Sequence, residues 1–255
     1  MAVTNRGDTM KKILALTFIL AFSYAWECYA TPSTQIWIPS TDIQKFATVH
    51  LNIDSYVRLR NEPNGTRKAP LFLIGPTVGI LPWEKLQAEV GFDVMYQGDA
   101  NLDKYPIYFN AKVATPEDSM FTWSPAVAIG GYNFGVKSGV TTQDIGYALA
   151  ARTFPIIGRL TGGYFYGNKN VLVDENGDRA NHGPMASWDR TMKEINEKLW
   201  LCVDYQGSRS NLGAVNFGFS WTFAPNVSTI LGYDLYLNRN IAGRDTATVQ
   251  VDINF

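Results

Sequence analysis

Cysteine and histidine are nearly missing from this chain, which has two of each in 255 residues. Cys28 falls in the leading apolar region. Cys202 is then alone in the rest of the chain, and no intrachain disulfide can form there. Two histidines are too few for a His-rich metal centre. An excess of either charge is missing too: 22 Lys and Arg face 23 Asp and Glu, a net charge of −1. A near-neutral chain lacks the basic footprint that nucleic acid requires. Long hydrophobic runs are also lacking. The longest, residues 13–22, is too short to cross a bilayer as a helix.

That run reads as an export signal. Met10-Lys11-Lys12 precede it and Cys28-Tyr29-Ala30 close it, which fits cleavage after Ala30. Met10 is the better start, because residues 1–9 are polar and fit no part of a signal. Trp26 and Glu27 are too bulky and too polar for a lipoprotein signal at Cys28. Residues 1–30 are therefore expected to be a signal peptide. Residues 31–45, with Pro32 and Pro39, read as a short periplasmic lead-in, and 46–255 as the folded unit.

What the folded unit does contain is alternation. Val249, Val251, Ile253 and Phe255 interleave with Gln250, Asp252 and Asn254, the period of a strand with two different faces. The same pattern starts at Val49, with Leu51, Ile53 and Val57 against His50, Asn52, Asp54 and Tyr56. It is clearest in Val215, Phe217, Phe219, Trp221 and Phe223, set against Asn216, Gly218, Ser220 and Thr222. Turn chemistry such as Asn61-Glu62-Pro63-Asn64-Gly65 and Pro82-Trp83-Glu84 separates the segments. About twelve strands are expected. One strand is placed from Phe121 to Phe134 and another near Met185–Met192, with the longest connection at 167–184.

Strand parity makes every second connection compact, and four of the five compact ones contain Pro. Trp83, Trp123, Trp221, Phe223 and Phe255 collect at the compact end. Tyr96, Tyr164, Tyr166, Tyr205 and Tyr233 collect at the other. Short turns at one end, long loops at the other and two aromatic girdles describe a transmembrane barrel. The expected fold is therefore all-β: a transmembrane antiparallel up-and-down β-barrel. A lipocalin-like barrel in water would carry the same period with the faces exchanged, and the period alone does not separate the two.

In a membrane barrel the polar faces line the lumen. His50, Asn52, Asp54, Tyr56, Arg58 and Arg60 begin that lining. Glu89, Asp93, Lys112, Asp144, Arg152, Arg159, Asp204, Asp234 and Asp252 continue it. Their signs are mixed, so no strong anion or cation selectivity is expected.

Catalytic chemistry has little support. His50 with Asn52 and Asp54 is the one tempting trio, but no Ser partner is evident and a lumen polar network is the better reading. His182 lies in the long loop, where solvent would surround it. Asp174-Glu175-Asn176-Gly177-Asp178 looks like part of a calcium loop. With Gly177 aligned on the required Gly, Leu172 and Gly183 fall where carboxylates are needed, so a turn is expected there. Gly135-Val136-Lys137-Ser138-Gly139 has the spacing of neither a nucleophile elbow nor a phosphate loop.

The signal, the alternating strands, the Ile80-Leu81-Pro82-Trp83-Glu84 turn and the Phe255 ending together resemble uncharacterised, porin-like outer-membrane β-barrels of Gram-negative bacteria. That resemblance implies residence in the outer membrane, among its lipid and lipopolysaccharide. It implies recognition of the last strand, through Phe255, by the β-barrel assembly machinery. It supplies no catalytic residue, cofactor or metal. The expected function is a narrow channel for small polar solutes. The alternatives are a lipid-modifying hydrolase centred on His50, and a closed barrel with a structural or surface-binding role.

Overall fold

The structure is a computed structural model that describes residues 33–255; the expected signal peptide, 1–30, lies outside these residues. Twelve strands form among them: β1 (Val49–Arg58), β2 (Leu71–Gly79), β3 (Gln87–Tyr96), β4 (Ile107–Thr115), β5 (Ala126–Gly135), β6 (Thr142–Phe154), β7 (Gly158–Tyr166), β8 (His182–Thr191), β9 (Leu199–Gln206), β10 (Ala214–Ala224), β11 (Val227–Tyr236) and β12 (Thr246–Asn254). One helical turn, α1 (Arg239–Ala242), precedes β12. Each strand pairs antiparallel with its sequence neighbours, and β12 pairs with β1 to close the barrel. Ile53 lies opposite Val251, and the Phe255 N–H donates to the Val49 carbonyl at 2.8 Å. Closure leaves no free edge, the condition for a sheet in hydrocarbon.

Connections at one end are mostly short, the briefest being residues 225–226. Those at the other end include 59–70 and 167–181. The short-loop end is taken as the inner one. Residues 116–125 break the rule, because the strand expected from Phe121 begins only at Ala126. Asp118 folds that segment back, accepting the Trp123 N–H at 2.7 Å and the Arg152 guanidinium at 2.8 Å.

The outer face is apolar around the wall. Ile53, Ile74, Phe92, Phe109, Ile129, Leu160, Val203, Phe217, Leu231 and Val249 all stand exposed on it. The inner face carries the buried polar side chains, among them Glu89, Lys112, Asp189, Asp204, Asn216, Asp234 and Gln250. This reverses the order of a water-soluble barrel and excludes the lipocalin-like arrangement. An apolar belt of this kind needs lipid against it.

Strand β6 departs from the expected lining. Ile145, Tyr147, Leu149 and Ala151 point inward, while Gly146, Ala148 and Ala150 face out. Period-two patterning cannot say which face is inside. Here the apolar face goes inward because the lumen holds a small apolar core of its own. Phe165, Met185, Leu172 and Leu212 join Leu149 and Ile145 there, against Ile38 and Ile43.

Ile38 and Ile43 belong to the segment expected as a periplasmic lead-in. Its described residues, from Ser33 on, run inside the barrel instead. Thr34 bridges Pro39 and the Gln35 N–H donates to the Ile38 carbonyl at 2.7 Å, forming a tight hairpin. Phe46 then bridges Gly79 at the inner end and the chain enters β1. Gly79 has no room for a side chain: a Cβ would lie 2.2 Å from the Lys45 carbonyl oxygen.

Candidate functional site

The lumen is the candidate site, and the hairpin divides it. The hairpin tip carries three successive N–H groups, those of Ile36, Trp37 and Ile38. All three point at Asp204 Oδ2 on β9, at 2.8, 2.8 and 3.4 Å. The other Asp204 oxygen accepts from the Asn216 amide at 2.6 Å. Hydrogen bonds to a charged group contribute about 1.5–3 kcal/mol each. Further contacts fix the tip. Gln250 donates to the Ile36 carbonyl at 2.7 Å, Gln35 donates to Asp189 at 3.1 Å, and Trp37 donates its indole N–H to the Leu212 carbonyl at 3.0 Å. The Trp37 ring meets Tyr56 and Tyr236 edge-on, with centroids 5.5 and 5.8 Å away.

The hairpin base is held by ion pairs nearer the inner end. Arg159 Nη1 lies 2.7 Å from Asp42, and its Nε donates to Asp189 at 2.9 Å. Lys112 pairs with Glu89 at 3.2 Å and donates to the Ser33 and Ser40 carbonyls at 2.9 and 3.2 Å. Glu89 also accepts the Gln44 N–H at 2.8 Å. Burying such charges is tolerable only because each is matched and hydrogen-bonded.

Beside the hairpin, along the wall from β1 to β5, a cavity of about 250 Å³ stays open. Gln97, Leu102, Val140 and Asn211 from the outer loops line one part of it. His50, Thr77, Glu89 and Lys112 line a part nearer the inner end. Asn52, Asp54, Asp93 and Asn110 lie between.

Most of the expected lining residues do face the lumen. His50, Asn52, Asp54, Tyr56, Glu89, Asp93 and Lys112 line the cavity. Arg159 and Asp204 hold the hairpin. Asp234 accepts from the Thr246 hydroxyl at 2.6 Å, and Asp252 pairs with His50 at 3.3 Å. Arg58 sits at the outer rim, its guanidinium 5.1 Å from the Tyr236 ring centroid.

Three residues do not line the lumen. Arg60 lies past the end of β1 and is exposed. Arg152 is on the outer face of β6, paired opposite Leu160 and stacked 4.7 Å from the Trp123 ring centroid. Its hydrogen bond holds the Asp118 carboxyl below the ordinary value. Asp144 sits half-exposed at a backbone kink with φ of 47°, apart from the cavity. Both misplacements on β6 follow from the reversed strand.

His182 also departs from expectation. It opens β8 on the outer face, stacked on Tyr164 and Tyr166, with Nδ1 2.6 Å from the Tyr164 hydroxyl. In the 167–181 loop, Asp174 Oδ1 accepts the Asn176 and Asp178 N–H groups at 3.0 Å, as a turn requires. Its Oδ2 faces Arg209 at 3.4 Å.

The sequence reading missed the hairpin. One signal was present: Ile36, Trp37, Ile38 and Ile43 make residues 33–45 too apolar for a solvated lead-in.

No family model matches the sequence, and no curated relative is found. Solved structures do match. The KdgM porin superposes with a TM-score of 0.52 at 7% identity, covering 82% of this chain and 99% of that one. A second KdgM structure, described as a complex with disordered oligogalacturonate, gives 0.50 at 6% identity, with coverage of 82% and 99%. The fold is that of a porin. The NanC porin also aligns, with a TM-score of 0.47 at 12% identity, covering 80% of this chain and 98% of that one. At such identities the likeness of this porin-like barrel to the others is one of architecture, and its chemistry has to be read from its own side chains.

Proposed function

We propose that the protein is a channel of a Gram-negative outer membrane, passing small polar solutes through a lumen narrowed by its own hairpin. The observation that carries this reading is the cavity. It carries polar and charged side chains such as Asn52, Asp54, Asp93 and Asn110 among apolar and aromatic ones, it lies inside a closed wall with an apolar exterior, and its lining runs from outer-loop residues to the inner charge pair of Glu89 and Lys112. Twelve strands fall between barrels of about eight, which side chains fill, and those of sixteen, which hold open water. The hairpin narrows this intermediate bore further. Lipid and lipopolysaccharide would surround the wall, and Phe255, 70% exposed beyond β12, would be offered to the assembly machinery.

The test is swelling of liposomes that contain the folded protein, in isotonic solutes of rising size. Entry of small polar solutes and exclusion of larger ones supports the channel. No swelling with any solute contradicts it.

A closed barrel with a structural role is the second reading, favoured by how firmly the hairpin is held. The hydrolase reading lacks a base. His50 Nδ1 lies 2.8 Å from the Asn254 side-chain oxygen and Nε2 lies 3.3 Å from Asp252, so both ring nitrogens are engaged. General-base catalysis needs one of them within reach of a nucleophile's proton.

A further inference from the structure

The carboxylates of the lumen are not equivalent. Asp204 takes three backbone N–H groups, Asp189 takes Arg159, Glu89 takes Lys112 and Asp252 takes His50. Asp54 and Asp93 have no cationic partner within 4.0 Å among the described residues, and both line the cavity. Asp93 accepts amide hydrogen bonds from Asn110, at 2.9 Å, and from Asn52, but neither donor is charged. Asp54 Oδ2 has only a long contact with Asn52, at 3.5 Å, and Asp54 Oδ1 is buried with no partner. An unpaired carboxylate away from bulk water is costly unless a proton or a cationic group joins it.

The wall is shaped around these groups. Gly75 and Gly91 lie on the inner face beside them. A Cβ on Gly75 would come 2.2 Å from Asp93 Oδ1, and one on Gly91 would come 2.8 Å from Asn110 Oδ1. The missing side chains make room for the carboxylate and the amide that orients it. Five aromatic residues, Trp37, Tyr56, Tyr108, Tyr132 and Tyr147, line the same cavity. Lys112 is the sole Lys or Arg in the lining; Glu89 already neutralises it and two carbonyls accept its hydrogen bonds.

We propose that this cavity is a binding site for small organic cations, amines or quaternary ammonium compounds, with Asp54 and Asp93 as counter-ions and the aromatic rings as the apolar wall. Aromatic faces attract ammonium groups most strongly where water is excluded. A volume of about 250 Å³ suits a small solute. A bare divalent ion fits less well, since among the described residues no three acidic, His or Cys side chains converge on one point. The acidic surplus also disfavours an acidic sugar. The inference deepens the channel reading by naming the solute class, and it rests on that reading only for the route of entry.

The experiment is calorimetric titration of choline chloride into the intact barrel folded in a sugar-headgroup detergent, with sodium glucuronate and potassium chloride as comparisons. Saturable binding of choline alone is expected. The Asp54→Asn/Asp93→Asn variant should bind choline at least about tenfold more weakly. Its fold is checked by the gel shift between heated and unheated samples, and Asp93→Asn alone replaces it if the double variant does not fold. No choline binding by the wild type overturns the inference, as does equal binding of glucuronate or potassium, or an unchanged affinity in the variant. Current through the same protein in a planar bilayer separates the two proposals. A barrel that binds choline but passes no current keeps the site and removes the channel. One that conducts but ignores choline does the reverse.

Discussion

Asp204 Oδ2 on the barrel wall accepts the backbone N–H groups of both Ile36 and Trp37 at 2.8 Å. This is where the wall holds the hairpin tip. Asp204→Ala removes the acceptor and leaves buried N–H groups unpaired, at about 1–3 kcal/mol for each orphan. The hairpin should loosen while the barrel stays closed. Limited proteolysis within residues 33–45 should speed up, with the gel shift on heating unchanged. Asp204→Asn keeps one carbonyl acceptor and should fall between.

Trp37 fills the space between Tyr56 and Tyr236. Trp37→Ala should enlarge the open part of the lumen at a stability cost below the roughly 3–5 kcal/mol of a fully buried aromatic, because Trp37 is half-buried. Larger solutes should then swell liposomes. An unchanged size limit would mean that Trp37 does not bound the passage.

Much of the barrel is legible in the sequence, and the reasons are local. Val215, Phe217 and Phe219 alternate with Asn216, Gly218 and Ser220, and β10 follows that order. β12 closes on β1 as its pattern requires. The orientation of β6 is not legible, because Ile145, Tyr147 and Leu149 are apolar enough for lipid or for a core. What decides is the hairpin packed against them, a contact distant in sequence. The hairpin was missed for the same reason: its partners Asp204 and Gln250 lie 168 and 214 residues from Ile36. His50, Asp54 and Asp93 were found from alternation alone. Which of them keep an unmatched charge depends on such long-range neighbours.

The reversal of β6 can be checked. Ala148 faces outward near the middle of its strand, so Ala148→Arg should block folding into lipid, at about 2–4 kcal/mol for an Arg near the midplane. Asn52→Arg points into the cavity and should be tolerated. The measurement is the heated-against-unheated gel shift after refolding into vesicles. Normal folding of Ala148→Arg into vesicles would mean that the faces of β6 are wrongly assigned.

Phe255 bonds to Val49 through its backbone, while its ring stands exposed. Phe255→Asp should therefore refold nearly normally in detergent. If the ring is read during assembly, the variant's level in the outer membrane should fall sharply. Cell fractionation beside in vitro refolding measures both, and a normal membrane level would remove the recognition role.

The hairpin is expected to narrow a lumen that would otherwise conduct more freely. Single-channel recording in planar bilayers, comparing the wild-type barrel with a variant whose residues 33–45 are replaced by a short Gly-Ser linker, tests it most directly. Small unitary currents are expected from the wild type and clearly larger ones from the variant, both folded by the gel-shift criterion. Equal currents, or none from the folded variant, would contradict it.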